Sequence, residues 1–204
     1  MTSRAVTPRS AALRPAPPRE LPGAEPPRVI VLWCPDWPVT AASRAAGLGA
    51  DALLALIDRN LVFASSSAAR AEGVSRGLRL REAQSRCPAL TVLDYDPALD
   101  ARAFEPIIAG VEELVPGVEV LRPGVCAVRV RGAARYYGGE KAAALALLGR
   151  IEELGGRGAR AGIADGLFTA EQAARRGAAA VQIVPPAGSP GFLAPLDVGL
   201  LDDP

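Results

Sequence analysis

Apolar positions begin abruptly at Val29 and run without a break through Ile30, Val31, Leu32 and Trp33, as in a strand buried on both faces. Pro35 and Pro38 close that strand, because neither can donate a ladder hydrogen bond, and a helix is expected over 39–46. Two short strands, 52–57 and 61–64, follow around an Asp58-Arg59-Asn60 turn that suits a hairpin. Ser65, Ser66 and Ser67 offer N-cap hydroxyls to a short helix through Arg70 that Gly73 can end. A further short helix is expected over 79–86 and a strand over 90–93.

Leu99, Ala103, Ile107, Ile108 and Val111 recur at helical spacing within 97–114. Strands are expected at 118–121 and 125–130, separated by Arg122-Pro123-Gly124. Residues 140–154 form an amphipathic pattern, with Leu145, Leu148 and Ile151 expected on one side. A strand at 159–164, a helix at 167–176 and a strand at 181–184 complete the pattern before the Pro185-Pro186-Ala187-Gly188 linker. Residues 1–27 mix Arg, Ala and Pro without periodicity and read as a disordered leader. The succession implies an α/β (α+β) fold: a mixed sheet with helices on one face and a small helical lobe inserted after the first strand.

Composition narrows the chemistry more than the fold. The chain has 204 residues, 50% apolar and 22% charged, with a formal net charge of +1, so any polyanion contact must come from a local basic patch. It has no histidine, which excludes Ser/His and Cys/His triads and His-ligated zinc. Cys34, Cys87 and Cys126 are far apart and form no CxxC pair, so they read as buried reduced thiols of a cytoplasmic protein. No apolar run is long enough for a membrane span, and no cofactor or metal motif stands out. Lys141 is the only lysine among 23 basic residues, a bias that GC-rich coding explains and that also suits phosphate binding.

The segment VFASSSAARAEGVSRGLRLREAQSRCPAL, residues 62–90, carries the strongest signal. Ala64, Ala69, Arg70, Gly73, Val74, Gly77, Ala83, Pro88 and Leu90 stand at the spacing of V-x-A-x-x-x-x-A-R-x-x-G-V-x-x-G-M-x-x-x-x-A-x-x-x-C-P-x-L, with Leu78 in place of Met. This resembles the fingers region of the Y-family (UmuC-like) translesion DNA polymerases. Arg70, Arg76, Arg79, Arg81 and Arg86 outnumber Glu72 and Glu82 there, so Arg70, Arg76 and Arg79 are candidate phosphate contacts. A solvated, arginine-rich helix face is the plainer alternative. The resemblance continues through Pro116, Val118 and Glu119, through Tyr136-Tyr137-Gly138 and through Gly162-Ile163-Ala164.

The resemblance implies a palm-like domain over 28–34 and 90–186, a fingers-like lobe over 35–89, and a linker with the start of a missing thumb over 187–204. It also implies where catalysis would reside. Family enzymes hold two metal ions with palm carboxylates. By register those carboxylates fall at Trp33, Gly124 and Val125, none of which has a metal-binding side chain. Asp36 lies close by, but its setting reads as a turn or helix cap. The family's Y-x-x-R becomes Ser67-Ala68-Ala69-Arg70, and its late lysine falls near Leu167. Asp94, Asp96, Asp202 and Asp203 read as loop or capping residues.

Together with the W-C-x-D-W-P strand end, these losses resemble the ImuB-type non-catalytic branch. That likeness implies a pseudoenzyme of DNA repair and the SOS response, acting in translesion mutagenesis. It would bind damaged or primer-template DNA weakly. The full-length protein would work with an error-prone C-family polymerase, an ImuA-type accessory protein and the sliding clamp. An active translesion polymerase using Asp36, and an unrelated α/β interaction domain, remain the two alternatives at this point.

Overall fold

The structure, a computed structural model, describes residues 26–197. The expected leader therefore lies almost wholly outside the described residues, as do Asp202 and Asp203. Strand β1 (Arg28–Trp33) is central in a five-stranded sheet of order β5-β6-β1-β7-β8, with β5 Glu119–Arg122, β6 Val125–Arg129, β7 Arg160–Asp165 and β8 Val181–Ile183. It runs antiparallel to both β6 and β7, while β7 and β8 pair in parallel. The first four of these strands, taken with their crossover helices, follow a βαββαβ path.

Alternation along β1 divides the core into two layers. Ile30 and Leu32 face Phe104, Ile107 and Val111 of helix α4 (Pro97–Glu112) and Ala144, Leu147 and Ile151 of α6 (Glu140–Glu153). Val29 and Val31 face the other way, toward Ala170 and Ala173 of α7 (Leu167–Arg176). The expected helical layer is thus α4 with α6, and α7 adds a cover to the opposite face. Its close approach depends on Gly162, where a Cβ would lie 1.9 Å from the Ala170 carbonyl oxygen.

The inserted lobe holds more strand than expected. Strands β2 (Leu54–Asp58), β3 (Leu61–Ser65) and β4 (Thr91–Asp94) form a second sheet of order β3-β2-β4. Arg59 and Asn60 both take positive φ, 47° and 66°, as a two-residue hairpin matching the strand twist requires. Helices α2 (Ser67–Ala71) and α3 (Leu80–Arg86) pack their Ala69 and Ala83 onto Ala55, Ile57 and Val62 of this sheet. The palm boundary expected at residue 90 is corrected here. Strand β4 pairs with β2 over Leu54↔Thr91 to Ile57↔Asp94, because its apolar residues complete the smaller core.

Helix α1 (Trp37–Ala45) also crosses the expected boundary at residue 35. Its Trp37 and Ala41 enter the large core, whereas Val39 and Ala42 pack on Leu54 and Leu56. Two further differences concern helices. Residues 130–137, where no helix was expected, form α5 (Val130–Tyr137), which buries Val130 and Ala133. Leu145 is 49% exposed, since α6 turns Ala143, Ala144, Leu147, Leu148 and Ile151 inward instead. Beyond the linker, α8 (Ser189–Leu193) is a single short turn of helix.

Candidate functional site

The strand register assembles the three positions to which the family resemblance assigns metal ligands. Trp33 ends β1 directly opposite Val125, the first residue of β6. Gly124 precedes it at φ 86°, and its carbonyl accepts a hydrogen bond from the Cys34 N–H at 2.8 Å. A Cβ on Gly124 would stand 2.5 Å from the Cβ of Trp37. Trp37 itself is fixed by an edge-to-face contact with Phe104 and by its Nε1–H donating to the Asp100 carbonyl at 3.1 Å. The fully buried indole therefore occupies the space into which a side chain at 124 would project.

On the other face, Val125 is buried and Trp33 half-buried. The Arg175 guanidinium lies 5.8 Å from the centre of the Trp33 ring, within cation–π range. Glu171 joins Arg175 at 2.9 Å and also pairs with Arg122. A pair of divalent ions needs converging anionic oxygens. Trp33, Gly124 and Val125 offer none, and Glu171 is committed to two arginines. Among the described residues no group of three or more His, Cys, Asp or Glu could hold a metal. This donor set does not fit the family's metal pair.

Leu167 opens α7 at the far end of the sheet, since β7 pairs Asp165 with Arg28 and Arg160 with Trp33. The helix then runs back and delivers Arg175, not Leu167, to the Trp33 end. Arg175, Glu171 and Arg122 were not singled out in the sequence. The four-residue spacing of Glu171 and Arg175 on one helix was the available signal.

Asp36 occupies the N-cap position of α1 at φ 51°, yet its carboxylate makes no capping hydrogen bond. It accepts two bonds from Arg70 instead, Nη1 to Oδ1 at 3.0 Å and Nη2 to Oδ2 at 2.6 Å. Arg70 also donates to the Ser65 carbonyl. Ser66 takes the capping role on α2, accepting from the Ala69 N–H at 3.1 Å. Asp96 likewise caps α4 through the Ala98 N–H at 2.9 Å, in line with its expected role.

Asp36 lines a cleft of about 550 Å³ between the lobes, together with Thr40, Arg44, Ser66 and Arg157, and its partner Arg70 lies beside that cleft. Arg76 and Arg79 lie apart from it, on the outer edge of the smaller sheet, where Arg79 bridges to Leu61. The thiols behind the site are inert by burial, which pushes both Cys34 and Cys126 up to about 12.

A family model described as IMS: impB/mucB/samB family matches residues 38–175, most of the described chain. The chain belongs to this family. Among curated proteins, no sequence matches significantly. The fold is that of Y-family polymerase palm and fingers. The Dbh ternary complex superposes with a TM-score of 0.66 at 16% identity, covering 84% of this chain and 52% of that one. The post-insertion binary complex of Dbh DNA polymerase gives 0.68 at 14% identity, with 84% and 52% covered. A Y-family chimera of Dbh and Dpo4 gives 0.66 at 14%, with the same coverage. This impB/mucB/samB chain thus spans about half the length of the structures it matches. Among its described residues, no helix is long and apolar enough to cross a membrane.

Proposed function

We propose that this chain is a non-catalytic, Y-family polymerase-like module that serves DNA-damage tolerance as a DNA-binding scaffold. The observation that carries the proposal is the Trp33↔Val125 pairing with Gly124 packed under Trp37. Where two-metal nucleotidyl transfer needs carboxylates, the chain places an indole, a valine and a glycine with no space for a side chain. Losing one ligand slows a polymerase, but losing all of them leaves the primer hydroxyl without activation. The surviving Arg70 is neutralised by Asp36, which further weakens any grip on a triphosphate.

The setting we infer is the bacterial cytoplasm during the SOS response, in the ImuB-type branch of the family. The W-C-x-D-W-P strand end and the substituted carboxylate positions support that branch. The longer protein built on such a module would act in translesion mutagenesis with an error-prone C-family polymerase, an ImuA-type accessory protein and the sliding clamp. DNA binding by the module itself should be weak, since a near-neutral chain makes few phosphate contacts.

Primer extension on a primed template, with Mg²⁺ or Mn²⁺ and all four deoxynucleotides, tests the catalytic half of the proposal. No incorporation above a protein-free control is expected. Extension that rises with protein concentration overturns it, and an Asp36→Asn variant then shows whether Asp36 is the hidden ligand.

A further inference from the structure

At the hairpin end of the smaller sheet, Phe63 of β3 and Tyr95, the residue after β4, stack face to face. Their ring centres are 3.7 Å apart and their planes 18° from parallel. The Arg76 guanidinium also lies over the Phe63 ring, 5.0 Å from its centre. Aromatic residues make up only 4% of the chain, so two of them stacked at a surface are not a by-product of composition. Phe63 stands outside the lobe's core clusters, whereas Tyr95 packs at the margin of the one formed by Val39, Ala42, Leu54 and Leu56, and both rings are half-buried. Beside them Leu61 is 44% exposed.

The backbone gathers positive charge on this edge. Residues 77–80 run alongside β3, with Gly77 N–H donating to the Val62 carbonyl, Val62 N–H to Leu78 and Leu80 N–H to Asn60. That path brings Arg76 and Arg79 next to Leu61 and Phe63, while exposed Arg59 projects from the hairpin turn. Among the described residues, the lobe's arginine ion pairs are those of Arg70 and Arg86, so Arg59, Arg76 and Arg79 keep their charge for an external partner. Asp58 and Asp100 also lie near the Tyr95 phenol, as does Arg76.

We propose that this surface is a stacking site for an unpaired base of single-stranded DNA, with Arg59, Arg76 and Arg79 on the adjoining phosphates. The proposal deepens the DNA-binding reading and rests on it. Every base offers a π-face, whereas in a duplex those faces are already covered by neighbouring pairs, so the site distinguishes single strands without reading sequence. The exposed Arg76 side chain can swing aside or sandwich the incoming base against Phe63, a combination of stacking and cation–π contact.

The test is fluorescence anisotropy of the whole chain with a labelled oligothymidylate and with a duplex of equal length. Single-strand preference is expected. Phe63→Leu keeps the apolar volume but removes the ring, and should weaken single-strand binding about tenfold while leaving duplex binding unchanged. Arg76→Gln should weaken both and lower the salt slope by about one. An oligonucleotide carrying 2-aminopurine gives a readout that needs no variant, because stacking on Phe63 quenches its fluorescence. Equal affinity for both DNAs, an unchanged Phe63→Leu, or a bound but unquenched probe overturns the stacking site and leaves the DNA-binding scaffold standing. Failure of the wild-type chain to bind any DNA at low salt overturns both.

Discussion

Gly124 concentrates the residue-scale reasoning. Its φ of 86° and the Trp37 side chain 2.5 Å from a hypothetical Cβ mean that an acid cannot simply be introduced there. A Gly124→Asp substitution should introduce backbone strain of about 1–3 kcal/mol and overpacking of similar size against the indole. Urea unfolding should therefore show a lower midpoint, and an unchanged midpoint would contradict the packing described. The apolar identities of Trp33, Gly124 and Val125 were legible in the sequence because the motif spacing located them. What surrounds them was not. The indole of Trp37 and the guanidinium of Arg175 reach this point through tertiary contacts that no local pattern encodes. Asp36 makes the same point, since its position suggested a cap, whereas its carboxylate binds an arginine 34 residues away.

Elements with a long, one-sided apolar period, such as α4 and α7, were legible to within a residue or two. Helix α5 was missed because Val130 and Gly132 weaken its local propensity, although Val130, Ala133, Ala134 and Tyr137 repeat at helical spacing. The sheet membership of β4 was unreadable, since a four-residue strand carries no record of its partner. At the end of β7, Asp165 ties three segments together. It accepts from the Ala187 N–H at 2.7 Å and from Arg28 Nη1 at 3.1 Å. The Ala187 bond, with Arg28 in support, holds its carboxyl below the usual carboxylate range against the opposing effect of burial. A depressed folded-state value stabilises the fold above the unfolded value, about 3.9 for aspartate, and the contribution fades as pH falls through the folded value. Asp165→Asn should thus melt earlier than wild type at pH 7, with the gap closing as both are titrated toward pH 3. A gap that stays constant across that range would place the effect in packing instead of charge.

At the scale of the whole molecule, the lobes are joined in two ways of different kind. Helix α1 contributes Trp37 and Ala41 to the large core and Val39 and Ala42 to the small one, an apolar contact that ties the lobes together. The Asp36–Arg70 pair spans the same junction at the surface, with side chains 41% and 45% exposed. Exposed ion pairs contribute at most about 1 kcal/mol, so holding the lobes together is a task for α1. The pair instead neutralises a positive charge beside the cleft. Asp36→Asn should accordingly leave the thermal midpoint nearly unchanged, because the helix contacts remain. It should tighten DNA binding and steepen the dependence of log affinity on log salt by about one, the signature of one more arginine available to phosphate. Anisotropy titrations at several salt concentrations, run beside melting curves of the same samples, separate the two roles. A variant that melts much earlier would make the pair a structural tie, and one with an unchanged salt slope would show that Arg70 never meets the DNA backbone.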